Sequence, residues 1–194
     1  MNAEPITQTI DKDTSLIKNN DNAEWYTATA AKSYVFAGDE AKSFKLTFEN
    51  KSEKTDYFLK AEGTGASIVV KNLDILEFLN PTKLASKPNN NDPIMTSNGG
   101  TVTIDNINHV KFGTADAPLQ VDQIAHLNWN GGDLTFSNIG TLDAYSRSTS
   151  FLIQSQPNNF PTLKFEKIGT VNINAGTNLG IQIAASNTIS QDKK

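Results

Sequence analysis

Two histidines, His109 and His126, are the only imidazoles in this 194-residue chain, and each stands just before an apolar position, in Asn-His-Val and Ala-His-Leu. If those two segments stack, the rings approach each other and offer two nitrogen ligands to a metal. Zinc usually takes four ligands from side chains of this kind, and the chain has no cysteine and no further histidine to complete the set. Two solvent-facing histidines are the simpler reading, and no metal or other cofactor is expected. Paired carboxylates are the next candidates: Asp116 with Asp122, and Asp74 with Glu77. Glycoside cleavage needs two carboxyls held across a groove at a defined separation, and the spacing places neither pair that way. Asp11, Asp13 and the run Asn19-Asn20-Asp21-Asn22 offer oxygen ligands but lack the spacing and glycine of a calcium loop. Absence of cysteine excludes a thiol nucleophile and a disulfide framework. No catalytic residue emerges. The best contact chemistry lies in Tyr145 to Pro161, where Tyr145, Arg147, Phe151 and Phe160 sit with two prolines. These four are the candidate binding residues, but for Tyr145, Phe151 and Phe160 anchoring of the loop by packing its own aromatics is the preferred reading.

Any such loop needs a scaffold, and the sequence repeats one. Ile68–Phe78, Val102–Phe112, Leu134–Ala144 and Leu163–Ile173 share an eleven-residue template: apolar, any, apolar, any, Asn or Lys, apolar, any, any, apolar, any, apolar. Leu119–Trp129 fits with Gln123 in the polar slot, and Leu46, Phe48 and Asn50 form an earlier partial copy. Alternation at each end of the template is the period of a half-buried strand. The phase breaks at the central apolar residue, so two short strands meet at a bend. Asn tolerates the left-handed backbone that a bend requires, and Asn72, Asn106 and Asn138 are expected to stack there as an amide ladder. Val, Ile, Thr and Phe dominate these segments and argue against helix. One copy cannot bury its apolar face alone, so copies must share a core. The fold class expected is all-β, a right-handed parallel β-helix, with a coil near twenty residues lengthened by inserted loops. An antiparallel sandwich is the structural alternative, but it leaves the recurring polar slot unexplained.

Residues 1–42 read as a polar tail and an N-terminal cap, the cap at about Asn22 to Lys42, because Trp25-Tyr26 and Tyr34-Val35-Phe36 concentrate aromatics before the first clear copy. Residues 43–194 read as the solenoid, truncated at its far end since no aromatic plug follows Ile183. Asn80 to Gly100, with three prolines, reads as a protruding loop. A net charge of −4, a pI near 5.2 and a single arginine argue against a nucleic-acid partner. No apolar run is long enough to span a bilayer, and Met1 to Pro5 has no leader character.

The copies at Ile68, Val102 and Leu134, the Asn- and Thr-rich cysteine-free composition and the aromatic-rich start together resemble the passenger region of a bacterial autotransporter. The Asn- and Lys-rich segments Lys18 to Asn22 and Lys87 to Asp92 are similar to vacuolating-cytotoxin-like and adhesin passengers. The resemblance covers about Phe44 to Ala185. It implies export through a C-terminal outer-membrane barrel that is missing here, and a secreted or cell-surface location. The function it implies is a non-enzymatic scaffold for adhesion to a host receptor or glycan, or for self-association. A β-helical polysaccharide lyase or hydrolase and a structural fibre or stalk module are the alternatives.

Overall fold

The structure is a computed structural model that describes residues 4–19, 26–51, 57–79, 94–119, 124–127, 130–146, 149–155, 160–175 and 179–185. It is an all-β parallel solenoid, with no helix among the described residues. In chain order the strands are β1 (Ile6–Thr9), β2 (Thr14–Lys18), β3 (Tyr26–Ala28), β4 (Tyr34–Ala37), β5 (Lys45–Asn50), β6 (Leu59–Glu62) and β7 (Ser67–Leu79). Then follow β8 (Met95–Asn98), β9 (Thr101–Phe112), β10 (Ala125–Leu127), β11 (Asp133–Ser146), β12 (Thr149–Ser155), β13 (Thr162–Ala175) and β14 (Leu179–Ala185). One sheet runs β1-β4-β7-β9-β11-β13, with β5 pairing both β2 and β7; the other runs β14-β12-β10-β8-β6-β3. Neighbouring strands are parallel throughout, as in Ile68↔Val102, Val102↔Leu134 and Leu134↔Leu163. An antiparallel sandwich is thereby excluded.

The template is one bent strand. Along β7 the burial alternates, passes two partly exposed residues, buries Leu73, passes two more and alternates again. The bend falls at the polar slot: Asn72, Asn106 and Asn138 have φ of 58°, 54° and 53°. Lys167 holds the slot in β13 at 53°. Lys42 has φ 56° and lies three residues before Lys45, as Asn72 lies three before Lys45's partner Ile75. The first copy therefore runs from Tyr34 to Phe48, interrupted by Gly38 to Ala41. That insertion is turned by Asp39, whose carbonyl accepts from the Lys42 amide (3.1 Å) and whose Oδ1 accepts from the Ser43 amide (2.9 Å). A four-residue insertion inside the template shifted the register of this copy in the sequence: Leu46 and Phe48, expected to open it before Asn50, are its last two apolar positions, paired with Leu76 and Phe78.

Equivalent positions along the chain recur after 34, 32 and 29 residues, as the cross-coil bonds of β9, β11 and β13 record. Each coil carries one long bent strand, one strand of the second sheet and the segments inserted between them. Two expectations need correction. The segment at Leu119 is not a coil of the main series: its Ala125–Leu127 pairs with Met95–Ser97 and Phe151–Ile153 in the second sheet. The strands at Phe151 and Leu179 continue that sheet. The parallel ladders also begin at Ile6, ahead of residue 43, since β1 pairs β4 and β2 pairs β5. Tyr26, Tyr34 and Phe36 pack edge-on or stacked against one another at 4.7–6.4 Å, inside those first coils.

A phenylalanine column runs up the core. Phe48, Phe78 and Phe112 are stacked at 5.3 and 5.1 Å with rings within 9° of parallel. At the next coil this column holds Ala144, while the neighbouring column changes from Ile104 to Phe136. The ring has moved sideways into the other column, and Phe136 stacks in turn on Phe165 at 5.3 Å. Phe151 from the second sheet fills the space beside them, edge-on to Phe136 and Phe165 at 6.1 and 5.6 Å. Close packing requires such compensation, because a ring and a methyl cannot be exchanged at one site alone.

Candidate functional site

The outward face of the long sheet carries the polar chemistry. Two outward columns run side by side beyond the bend. One holds Ile75, His109, Thr141 and Thr170; the other holds Glu77, Lys111, Asp143 and Asn172. His109 Nε2 lies 2.6 Å from Asp143 Oδ2, reaching diagonally to the next coil. Asn172 Nδ2 donates to the other carboxylate oxygen at 2.8 Å. Burial pushes the Asp143 carboxyl up, but the bonds from Asn172 and His109 and the charges of His109 and Lys111 outweigh it and hold the group below its ordinary range. Two coils back from Asp143, Glu77 accepts from Thr47 at 3.4 Å and lies 3.8 Å from Lys45 Nζ. The arrangement fixes an imidazole in one orientation on an open strand face. That is a start for proton transfer, which also needs a substrate held within reach of the ring.

The bend carries a second polar row. Asn106 Nδ2 donates to Asn72 Oδ1 at 2.9 Å, and Asn108 Nδ2 to Asp74 Oδ1 at 3.0 Å. The ladder does not continue amide to amide: Asn138 Nδ2 donates instead to Asp105 Oδ1 at 2.8 Å, beside Ser137 Oγ at 2.7 Å on the same oxygen. A carboxylate is the stronger acceptor, and Asp105 stands next to Asn106 in the coil below. The expected three-membered amide ladder is thus one amide pair followed by a switch to a carboxylate. Asn130 and Asn98 form another cross-coil amide pair at 2.8 Å.

The expected site residues are scattered. Phe151 is 2 % exposed and belongs to the core, so of its two readings packing holds, but on a strand and not in a loop. Its place in β12, in register with Ala125 and Ile181, turns its ring inward. Tyr145 is half-buried and lies in β11, paired with Asn174, not in a loop. Phe160 is 74 % exposed, and Arg147 lies outside the described residues. His109 and His126 occupy different sheets, on β9 and β10, so they do not stack. Asp74 and Glu77 have separate partners, Asp116 is exposed, and Asp122 lies outside the described residues. Asp13 Oδ1 accepts from the Lys45 amide at 2.9 Å. Among the described residues no group of three or more His, Asp or Glu side chains is placed to hold a metal ion, and no helix is long and apolar enough to cross a membrane. The sequence missed the His109–Asp143 contact. Aligning the copies at Val102 and Leu134 sets His109 beside Thr141, two residues from Asp143, and that alignment was the available signal.

Comparison with known proteins leaves the fold as the main guide: no family model matches the chain, and neither a curated protein nor a solved structure matches it.

Proposed function

We propose that this chain is a non-enzymatic adhesion scaffold, a passenger-type segment of a bacterial autotransporter that is secreted or displayed at the cell surface and takes a host receptor or glycan as its partner. The observation that carries this reading is the direction of the surface hydrogen bonds. Asn72–Asn106, Asp74–Asn108, Asn98–Asn130, Asp105–Asn138 and His109–Asp143–Asn172 all bond along the stack, from coil to coil. Side chains arranged as ladders stiffen a rod, whereas a reaction centre gathers its groups around one point. A stiff solenoid leaves recognition to the segments between strands, which vary without disturbing the core. Phe160, exposed beside the start of β13, is the contact residue best placed for this role.

The test has two arms. Antibody labelling and protease shaving of intact bacteria should find the chain outside the cell; a signal only after lysis removes the export reading. Purified protein should bind host cells or a glycan array, and Phe160→Ser with Arg147→Ser should abolish that binding. Binding that is absent, or unchanged in the double variant, removes the adhesion reading.

The oriented His109–Asp143 pair favours a second reading, a polysaccharide lyase or hydrolase. Incubation with pectin and alginate decides it: new unsaturated or reducing ends that disappear in His109→Ala support an enzyme.

A further inference from the structure

We propose that Asn130 is a site of self-modification: its side chain closes a succinimide ring on the Gly131 amide nitrogen and passes to aspartate and isoaspartate, while the identical dipeptide stacked against it, Asn98-Gly99, is protected. This goes beyond the adhesion reading and rests on the fold alone. Asn followed by Gly occurs twice in the chain, in Asn98-Gly99-Gly100 and Asn130-Gly131-Gly132. Both tracts lie at the corner where the second sheet gives way to the long one: Asn98 ends β8 just before β9, and Asn130 lies between β10 and β11. The corners are in contact, since Asn130 Nδ2 donates to Asn98 Oδ1 at 2.8 Å. Each turns on a left-handed glycine, Gly99 with φ 82° and Gly131 with φ 78°. Glycine adopts that backbone without strain, so the turn itself places a residue without a Cβ after each Asn. A missing Cβ also leaves the amide nitrogen of that glycine an open path to the Asn Cγ.

Water and hydroxide are the only co-reactants. The Gly131 nitrogen gives its proton to hydroxide and attacks Asn130 Cγ. The new N–Cγ bond forms as the Cγ–Nδ2 bond breaks, and Nδ2 leaves as ammonia. Water then opens the ring. Breaking the N–Cγ bond gives aspartate at position 130; breaking the bond from that nitrogen to the backbone carbonyl carbon gives isoaspartate, with the chain running through Cγ. The fold can keep the acidic product, because a carboxylate joined to an Asn amide of the neighbouring coil already occurs at Asp105–Asn138 and Asp143–Asn172.

The two corners differ in how the reacting peptide unit is held. Ring closure must turn the unit between Asn and Gly toward the side chain. At the lower corner that unit is bonded on both sides. The Asn98 carbonyl accepts from the Gly63 amide of the coil below at 2.8 Å, and the Gly99 amide donates to the Gly131 carbonyl of the coil above at 2.8 Å. Asn98 also sits in the parallel ladder, in register with Glu62. Its attacking nitrogen is thus tied down, and both backbone bonds must open before the ring can close. Asn130 is exposed and stands in a turn outside the strands, so its peptide unit turns once the side-chain bond to Asn98 lets go.

Ageing of the folded 194-residue chain in warm, mildly alkaline buffer is the test. Trypsin separates the two sites, leaving Asn98 in a peptide that ends at Lys111 and Asn130 in the peptide Phe112–Arg147. Mass spectrometry then reads the conversion of amide to acid at each position, and an isoaspartyl methyltransferase labels the isoaspartate fraction. Position 130 should convert about tenfold or more faster than position 98. In urea, where the corner bonds are gone, the two should convert at comparable rates. Asn130→Gln, whose longer side chain closes a ring far more slowly, should remove the acidic species. Equal rates in the folded chain, a difference that persists in urea, or an acidic species that survives Asn130→Gln would overturn the assignment. So would a folded chain that stays unmodified at both positions while the chain in urea converts.

Discussion

Exchanging the positions of one ring and one methyl in the core should cost less than the two single changes suggest. Ala144 is fully buried and stands in the column that Phe48, Phe78 and Phe112 occupy below it, while Phe136 fills the adjacent column above Ile104. Ala144→Phe alone forces a second ring into a coil that already contains Phe136, an overpacking cost of about 1–3 kcal/mol. Phe136→Ile alone removes the stacked contact with Phe165 at 5.3 Å and edge contacts with Phe112 and Phe151 at 6.3 and 6.1 Å. With each of the three aromatic pairs contributing about 0.5–1.5 kcal/mol, that change costs roughly 1.5–4.5 kcal/mol. In the double variant the ring introduced at position 144 continues the column below it and stacks on Phe112, while the isoleucine introduced at position 136 follows Val70 and Ile104. The double variant should therefore be more stable than the sum of the singles by at least about 1 kcal/mol. Urea unfolding followed by circular dichroism, with midpoints compared at constant m-value, measures this. Costs that add within about 0.5 kcal/mol would refute the idea that the ring moved sideways to conserve volume.

At the bend, Asn106→Gly keeps the left-handed turn and loses one amide bond, about 0.5–1.5 kcal/mol; Asn106→Val should cost about 1–2 kcal/mol more, and equal urea midpoints would show that backbone conformation is not limiting there. Gly140→Ala should destabilise although its φ is ordinary, because an added Cβ would meet the Asn108 carbonyl oxygen at 2.5 Å; an unchanged midpoint refutes this. His109→Ala should lower stability at neutral pH and make its pH dependence shallower. A carboxyl whose folded pKa is depressed stabilises fully above its unfolded pKa, and that contribution is lost as pH falls through the folded pKa. The gap between wild type and His109→Ala should accordingly close on acidification, and a gap that widens would contradict the assigned role of Asp143. Phe160→Ser should leave the midpoint within about 0.5 kcal/mol, since the ring is 74 % exposed; a larger loss would make Phe160 a structural residue.

The architecture was legible because the template records burial directly. Every apolar slot from Ile68 to Ala144 in the three main copies is buried, and every Asn slot takes the left-handed backbone. What the sequence concealed has two physical sources. Short strands of the second sheet, such as Ala125–Leu127, carry too few residues to display a period, so Leu119–Trp129 imitated a full template by chance of composition. Contacts between side chains of successive coils depend on register, and loops of unequal length obscure register: His109 meets Asp143 across 34 residues, while Asn172 meets the same carboxylate across 29. Phe151 was ambiguous for a related reason. An aromatic that follows Ser148-Thr149-Ser150, with Pro157 not far beyond, reads as a loop contact until the coil is closed and its column is known.

The bend itself owes less to amide stacking than the repeated Asn suggests. Its φ stays between 53° and 58° at Lys42, Asn72, Asn106, Asn138 and Lys167. Across those five positions the side chain changes from amide to ammonium, and the Asn partner changes from Asn72 Oδ1 to Asp105 Oδ1. A hydrogen bond that varies while the backbone does not is an addition to the turn, not its cause. In four of the five the residue that follows is apolar: Leu73, Ile107 and Ile139 are at most 2 % exposed, and Ile168 is half-buried, with two outward residues on either side of each; after Lys42 it is the exposed Ser43, whose amide donates to Asp39 Oδ1. Burying a side chain of that size contributes about 1.5–3 kcal/mol, enough to offset the roughly 1–2 kcal/mol of a left-handed residue. In those four coils the inward apolar residue holds the corner from within, at Lys42 the Asp39 turn does so instead, and Asn is favoured in the slot because it adopts the required backbone at the least cost.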